Sequence, residues 1–208
     1  LFTLTRQDFA TPLGTVSTDR ELVDEVARRA GEDELFRAEL LHASEHTVEF
    51  QSVFLSALTG KTAPRIFPVL VGSLHRHMET RQEPWGDPRV RRFVDALLEA
   101  IHRLGRRTIV IASIDLSHMG PRYGDPRGMS VEEAVQVERE DRELLAFAER
   151  GDAAGYFFHN QELGDRRRVC GFSALYTLMR LLPGAKGRVL DYTQTTFPGT
   201  QDTVAHCA

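Results

Sequence analysis

The run Thr108-Ile109-Val110-Ile111-Ala112-Ser113-Ile114 constrains this chain more than any other stretch. Its side chains are almost continuously apolar and rich in β-branched residues, the pattern of a strand covered on both faces. Such strands belong to parallel sheets flanked by helices, so the run predicts a central strand at 108–114. Arg65 to Val71 (RIFPVLV), closed by Gly72, predicts a second buried strand, with Pro68 unfavourable inside it. The opening residues from Leu1 read as a loop. Thr18-Asp19-Arg20-Glu21 has capping-box spacing ahead of Leu22, Val23, Val26 and Ala27, and Gly31 ends that helical run. Further helices are expected over Ser44–Gly60, Asp87–Leu104, Ser130–Arg150, Asp152–His159 and Cys170–Leu182. Gly120 to Gly128 reads as a loop, and Arg188–Gln194 and Thr203–His206 as closing strands. The expected fold class is therefore α/β: a single domain with a mainly parallel central sheet and helices on both faces.

A length of 208 residues suits one compact domain, and 41% hydrophobic with 27% charged residues is an ordinary globular balance. A net charge of −4 supplies no basic field for nucleic acid. The short run Arg166-Arg167-Arg168 is expected to be solvated surface. No stretch approaches the roughly 20 apolar residues of a membrane span. Leu1 to Asp8 lacks the basic and apolar blocks of a signal peptide. The two cysteines, Cys170 and Cys207, suggest no disulfide framework, and a cytoplasmic setting is expected.

Chemistry is expected at the carboxyl end of the 108–114 run, where ligands bind in open α/β sheets. There Asp115-Leu116-Ser117-His118 places a carboxylate and an imidazole three residues apart on a turn. The pair can meet one metal or one substrate proton, or the carboxylate can orient the imidazole. The plainer alternative is a capping Asp115 and a surface His118. Glu45-His46-Thr47-Val48-Glu49 opens a helix, so His46 and Glu49 share a face, although both glutamates also suit the helix dipole. Cys170-Gly171 precedes an apolar helical run. A cysteine at a helix N-terminus beside arginines favours its thiolate, whereas a buried structural cysteine is the commoner case. Cys207 reads as structural. His42, four before His46, could share its helical face if that helix began earlier, and His75 and His77 could form a pair or be exposed on a loop. His102 reads as surface, and His159 and His206 have no partner that sequence identifies.

Taken together, HASEHTVEFQ at 42–51, FPVLVG at 67–72, IASIDLSHMG at 111–120 and VCGFSALYTLM at 169–179 resemble, in order and spacing, the Memo family. Its bacterial members are called AmmeMemoRadiSam system protein B. The resemblance implies a fold related to the LigB-like class III extradiol dioxygenases, a non-haem iron group. It also implies a metal site at His46, Asp115, His118 and Cys170, with iron or copper as the metal, and a radical-SAM partner protein in bacteria. The family carries a further histidine in a Pro-His block that lies before the residues seen here. The expected domain therefore lacks its N-terminal strand and first histidine, and its site is expected to be incomplete.

The leading expectation is a non-haem metalloprotein with redox or oxygenase-type chemistry, an iron- or copper-dependent oxidoreductase in which Asp115, His118 and Cys170 are catalytic. An extradiol dioxygenase with His118 as acid/base is a second reading, which an oxidisable thiolate at Cys170 disfavours. A third makes Cys170 a nucleophile with His118 as base and Asp115 orienting it. The fourth is a metal-independent module binding a peptide or small molecule near Arg166–Arg168.

Overall fold

In the computed structural model residues 1–208 are described, the side chain of Lys61 excepted. The first elements are β1 (Phe2–Leu4), β2 (Phe9–Thr11), β3 (Gly14–Val16), α1 (Arg20–Ala30), α2 (Glu32–Phe36), α3 (Thr47–Thr59) and β4 (Val69–Val71). There follow α4 (His75–Thr80), α5 (Pro88–Arg103), β5 (His118–Met119), α6 (Val131–Arg150), α7 (Ala153–Glu162), α8 (Phe172–Leu181), β6 (Tyr192–Phe197) and β7 (Asp202–Cys207). The chain divides into two compact units. The first comprises Leu1–Ser73 and Trp85–Ser113, the second Leu74–Pro84 and Ile114–Ala208.

The core of the first unit is built on α1 and α5. Helix α1 buries Leu22, Val23, Val26 and Ala27 at helical spacing, and α5 buries Val90, Phe93, Val94, Leu97 and Ala100. Asp19, rather than Thr18, caps α1: its carboxylate accepts the Leu22 N–H, while the Thr18 hydroxyl donates to the Gln7 carbonyl. Asp87 caps α5 ahead of Pro88, whose missing N–H costs nothing in a first turn. The opening residues form a strand and not a loop. Strand β1 pairs antiparallel with β4, and the Phe2 ring stacks on Phe93 at 3.9 Å. Burying a ring of that size stabilises by about 1.5–3 kcal/mol.

The second unit packs α6, α7 and α8 beside the antiparallel sheet β5-β7-β6. Ser130 and Glu133 close a reciprocal capping box at the start of α6. Tyr156 of α7 and Phe172 of α8 stack at 4.9 Å, with Phe157 and Tyr176 against them in the core.

The fold is thus mixed helix and sheet, as the sequence predicts, but its sheets are small and differ from the expected parallel one. Among the described residues every ladder is antiparallel, and the one parallel pairing is an isolated bridge from Thr18 to Ile66. The expected strand at 65–71 shrinks to β4 with that bridge. The run 108–114 joins no ladder, and Ile109 and Ile111 are 87% and 64% exposed. An apolar run states a preference for cover; it supplies no neighbouring edge, and a strand exists only where one accepts its hydrogen bonds.

Candidate functional site

The backbone of Asp115–His118 in the second unit is held from two sides. Towards β7, the Leu116 N–H donates to the Ala205 carbonyl at 2.9 Å, and the Ala205 N–H donates to the Ser117 carbonyl at 2.9 Å. From the other side the Cys170 N–H donates to the Leu116 carbonyl at 3.1 Å and the Gly171 N–H to the Asp115 carbonyl at 2.9 Å. The His118 N–H donates to the Arg167 carbonyl at 2.7 Å. The approach at Gly171 is close enough that a Cβ there would lie 2.4 Å from Cβ of Ile114. Cys170-Gly171 is therefore fixed as a sequence pair by contact with the segment that carries Asp115 and His118.

This backbone brings two imidazoles, His118 and His206, to one carboxylate, that of Asp115. His118 Nδ1 lies 3.0 Å from the Leu116 carbonyl, which can only accept, so Nδ1 is the donor in this contact. That Nε2 stands 3.8 Å from Asp115 Oδ2, while the other oxygen, Oδ1, lies 3.2 Å from His206 Nδ1. The edge of Tyr123 meets the His118 ring, with centroids 4.9 Å apart. Cys170 is exposed, forms no disulfide and sits immediately before Gly171, the residue that opens α8. Cys207, half-buried on β7, has its thiol pushed up by burial and then by the charges of Asp141 and Asp115.

His46 belongs to the first unit, at the mouth of α3. It is exposed, with its ring 5.4 Å from that of Phe50 and its Nδ1 3.3 Å from Glu45 Oε1. Glu45 accepts the His46 and Thr47 N–H groups, so this acid serves the helix terminus. His42 is a core histidine: Nε2 faces the Thr3 carbonyl at 3.0 Å, and burial pushes its pKa down.

Two features escaped the sequence. His206 lies 91 residues from Asp115, and only the register of β7 beside the site segment puts them together. The triple-arginine run is solvated surface only in part: Arg166 is exposed and Arg168 half-buried, but Arg167 is 0% exposed. Arg166 pairs with Glu140, Arg167 with Asp141 and Glu140, and Arg168 with Asp125. Among the described residues no three His, Cys, Asp or Glu side chains are already grouped to hold a metal ion. Among them too, no helix is long and apolar enough to cross a membrane.

Comparison with known proteins places this arrangement. The family described as Memo-like protein matches residues 2–207. The chain belongs to the Memo-like family. A MEMO1 family protein of Pyrococcus abyssi is 31% identical over 205 residues, covering 95% of this chain and 65% of that protein. One from Aquifex aeolicus is 26% identical over 194 residues, covering 92% of this chain and 46% of that protein. One from Thermococcus onnurineus is 29% identical over 202 residues, covering 94% and 64%. This Memo-like chain therefore spans between about half and two thirds of the length of these relatives. The four blocks of the Memo-like pattern fall at the entry to α3, on β4, on the 115–118 segment and at the start of α8.

Proposed function

We propose that this Memo-like chain binds a redox-active metal ion, iron or copper, through Asp115 and His118, with His206 and Cys170 as candidate further donors. The observation that carries this reading is the contact of His118 Nδ1 with the Leu116 carbonyl. Metal-ligating histidines typically donate one ring N–H to a carbonyl or carboxylate and offer the other nitrogen to the ion. Here the Leu116 carbonyl takes Nδ1–H, and Nε2 is directed to the side of Asp115.

The donor types fit the metals. Imidazole and carboxylate suit iron, and an accessible thiolate suits copper(I). A bound ion of either kind would supply one-electron chemistry and a site for dioxygen or an organic ligand. The protein's part is orientation: the backbone ties fix Asp115 and His118 on one short segment, and Asp115 holds His206 through its second oxygen. An anion pocket at Arg166–Arg168 has less behind it, because each of the three guanidiniums already faces a carboxylate.

Elemental analysis of protein purified without metal-affinity resin tests the proposal. Near-stoichiometric iron or copper is expected, falling in Asp115→Ala and His118→Ala. The same measurement on His206→Ala and Cys170→Ser identifies the remaining donors. Metal-free protein, or metal content indifferent to loss of Asp115 and His118, overturns it.

A further inference from the structure

Under the Asp115–His118 segment lies a buried polar network in the same unit. Ser117, 1% exposed, donates its hydroxyl to Asp141 Oδ1 of α6 at 2.5 Å. The fully buried Asp141 also accepts the Tyr192 hydroxyl on Oδ2 at 2.9 Å and pairs through Oδ1 with the guanidinium of Arg167. Arg167 in turn offers its main-chain carbonyl to the His118 N–H at 2.7 Å. The network thus reaches His118 twice, through the side chain of the residue before it and through its own N–H.

A carboxylate removed from water keeps its place only if its oxygens are occupied by donors, and charge-assisted bonds of this kind are short and directional. Asp141 has three donors on two oxygens, which fixes its rotamer. Because neighbouring residues in an extended segment alternate sides, fixing the inward Ser117 fixes the directions taken by Leu116 and His118. We propose that Asp141 is a positioning residue: through Ser117 and Arg167 it sets the orientation of His118, holding Nδ1 on the Leu116 carbonyl and Nε2 beside Asp115. Tyr192 bonds the same carboxylate but, among the described residues, has no hydrogen bond to the Asp115–His118 segment, so it separates positioning from general support of the core. The metal-binding consequence rests on the function proposed above; the orientation of His118 does not.

The test compares wild type, Ser117→Ala and Tyr192→Phe, each as the full chain. Ser117→Ala cuts the link to the site while leaving Arg167 on Asp141, and each variant removes one hydroxyl from one carboxylate. Imidazole ¹H–¹⁵N correlation spectra of metal-free protein report the His118 tautomer. The Nδ1–H form is expected in wild type and Tyr192→Phe, and a tautomer mixture in Ser117→Ala. Titration with Fe(II) or Cu(I) is expected to show an affinity loss of about 10- to 100-fold in Ser117→Ala, the usual effect of removing a group that orients a ligand. Tyr192→Phe is expected to stay within about twofold of wild type. A wild-type tautomer in Ser117→Ala overturns the proposal, as does an equal change in both variants. If wild type binds neither metal, only the metal reading falls and the tautomer still decides the role of Asp141.

Discussion

A methyl group at Gly171 would meet Cβ of Ile114 at 2.4 Å and the Asp115 carbonyl oxygen at 2.6 Å, both part of the segment that carries the candidate site. Gly171→Ala is therefore expected to push Cys170 and Gly171 off that segment and to destabilise the protein by about 1–3 kcal/mol, as overpacking does. Denaturant unfolding measures this, and an unchanged midpoint would show that the two backbones can separate without loss. At this scale the sequence is most informative where partners are close along the chain. Asp115 and His118 stand together because only two residues separate them on one short segment. His206 and Asp141 were invisible because nothing local distinguishes a histidine on an edge of β7, or an aspartate among the charges of α6, from its exposed neighbours. Arg167 misled for the same reason. Its two flanking arginines look alike in sequence and also face carboxylates, yet of the three only Arg167 is fully buried.

Among the elements, the helices follow their periodicity closely. The expected bounds for α1, α3, α5 and α6 differ from the observed ones by a few residues, the usual latitude of helix ends. Helices α1 and α5 also carry an electrostatic tie that sequence hints at only in part. Glu25 accepts from Arg28 and Arg29 on its own helix and pairs with Arg103 of α5, and these guanidiniums hold its carboxyl at about 2 against an ordinary 4.5. A carboxyl lowered on folding contributes stability that is present above the ordinary value and lost as pH falls toward the lowered one. Glu25→Gln is therefore expected to flatten the fall of Tm between about pH 4.5 and pH 2. A thermal-melting series with the wild-type slope would assign that acid sensitivity elsewhere. The strands were harder. Run 108–114 has the stronger claim by composition, yet β1 offers an edge to Val69–Val71 of run 65–71, and no ladder forms along the stronger run.

For the whole molecule, the division into two units does not follow the order of the chain. Residues 74–84 belong with 114–208, and 85–113 with 1–73. The short N-terminal piece of the second unit is bound into it: Leu74 N–H donates to Ser173 Oγ at 3.0 Å, Tyr176 donates to Glu83 at 2.8 Å, and Arg180 pairs with Glu83. A fragment of residues 114–208 leaves Ser173, Tyr176 and Arg180 without these partners in a core position. It is expected to lack a cooperative melting transition in near-ultraviolet circular dichroism. A sharp transition in that fragment would show that residues 74–84 are dispensable to the unit.

The sequence by itself determined the longer helices, though not α2 and α4, the placing of Asp115 with His118, the Cys-Gly pair ahead of α8 and membership of the Memo-like family. These depend on intervals of three or four residues, on capping chemistry and on ordered blocks, all of which are local or one-dimensional. Only the tertiary structure decided that His206 faces Asp115, that Asp141 and Arg167 lie buried under the site, and that the most strand-like run joins no ladder. The reason is physical: burial depends on what packs over a residue, and strand pairing on an edge supplied from elsewhere in the chain. Neither is written in the residues that experience it.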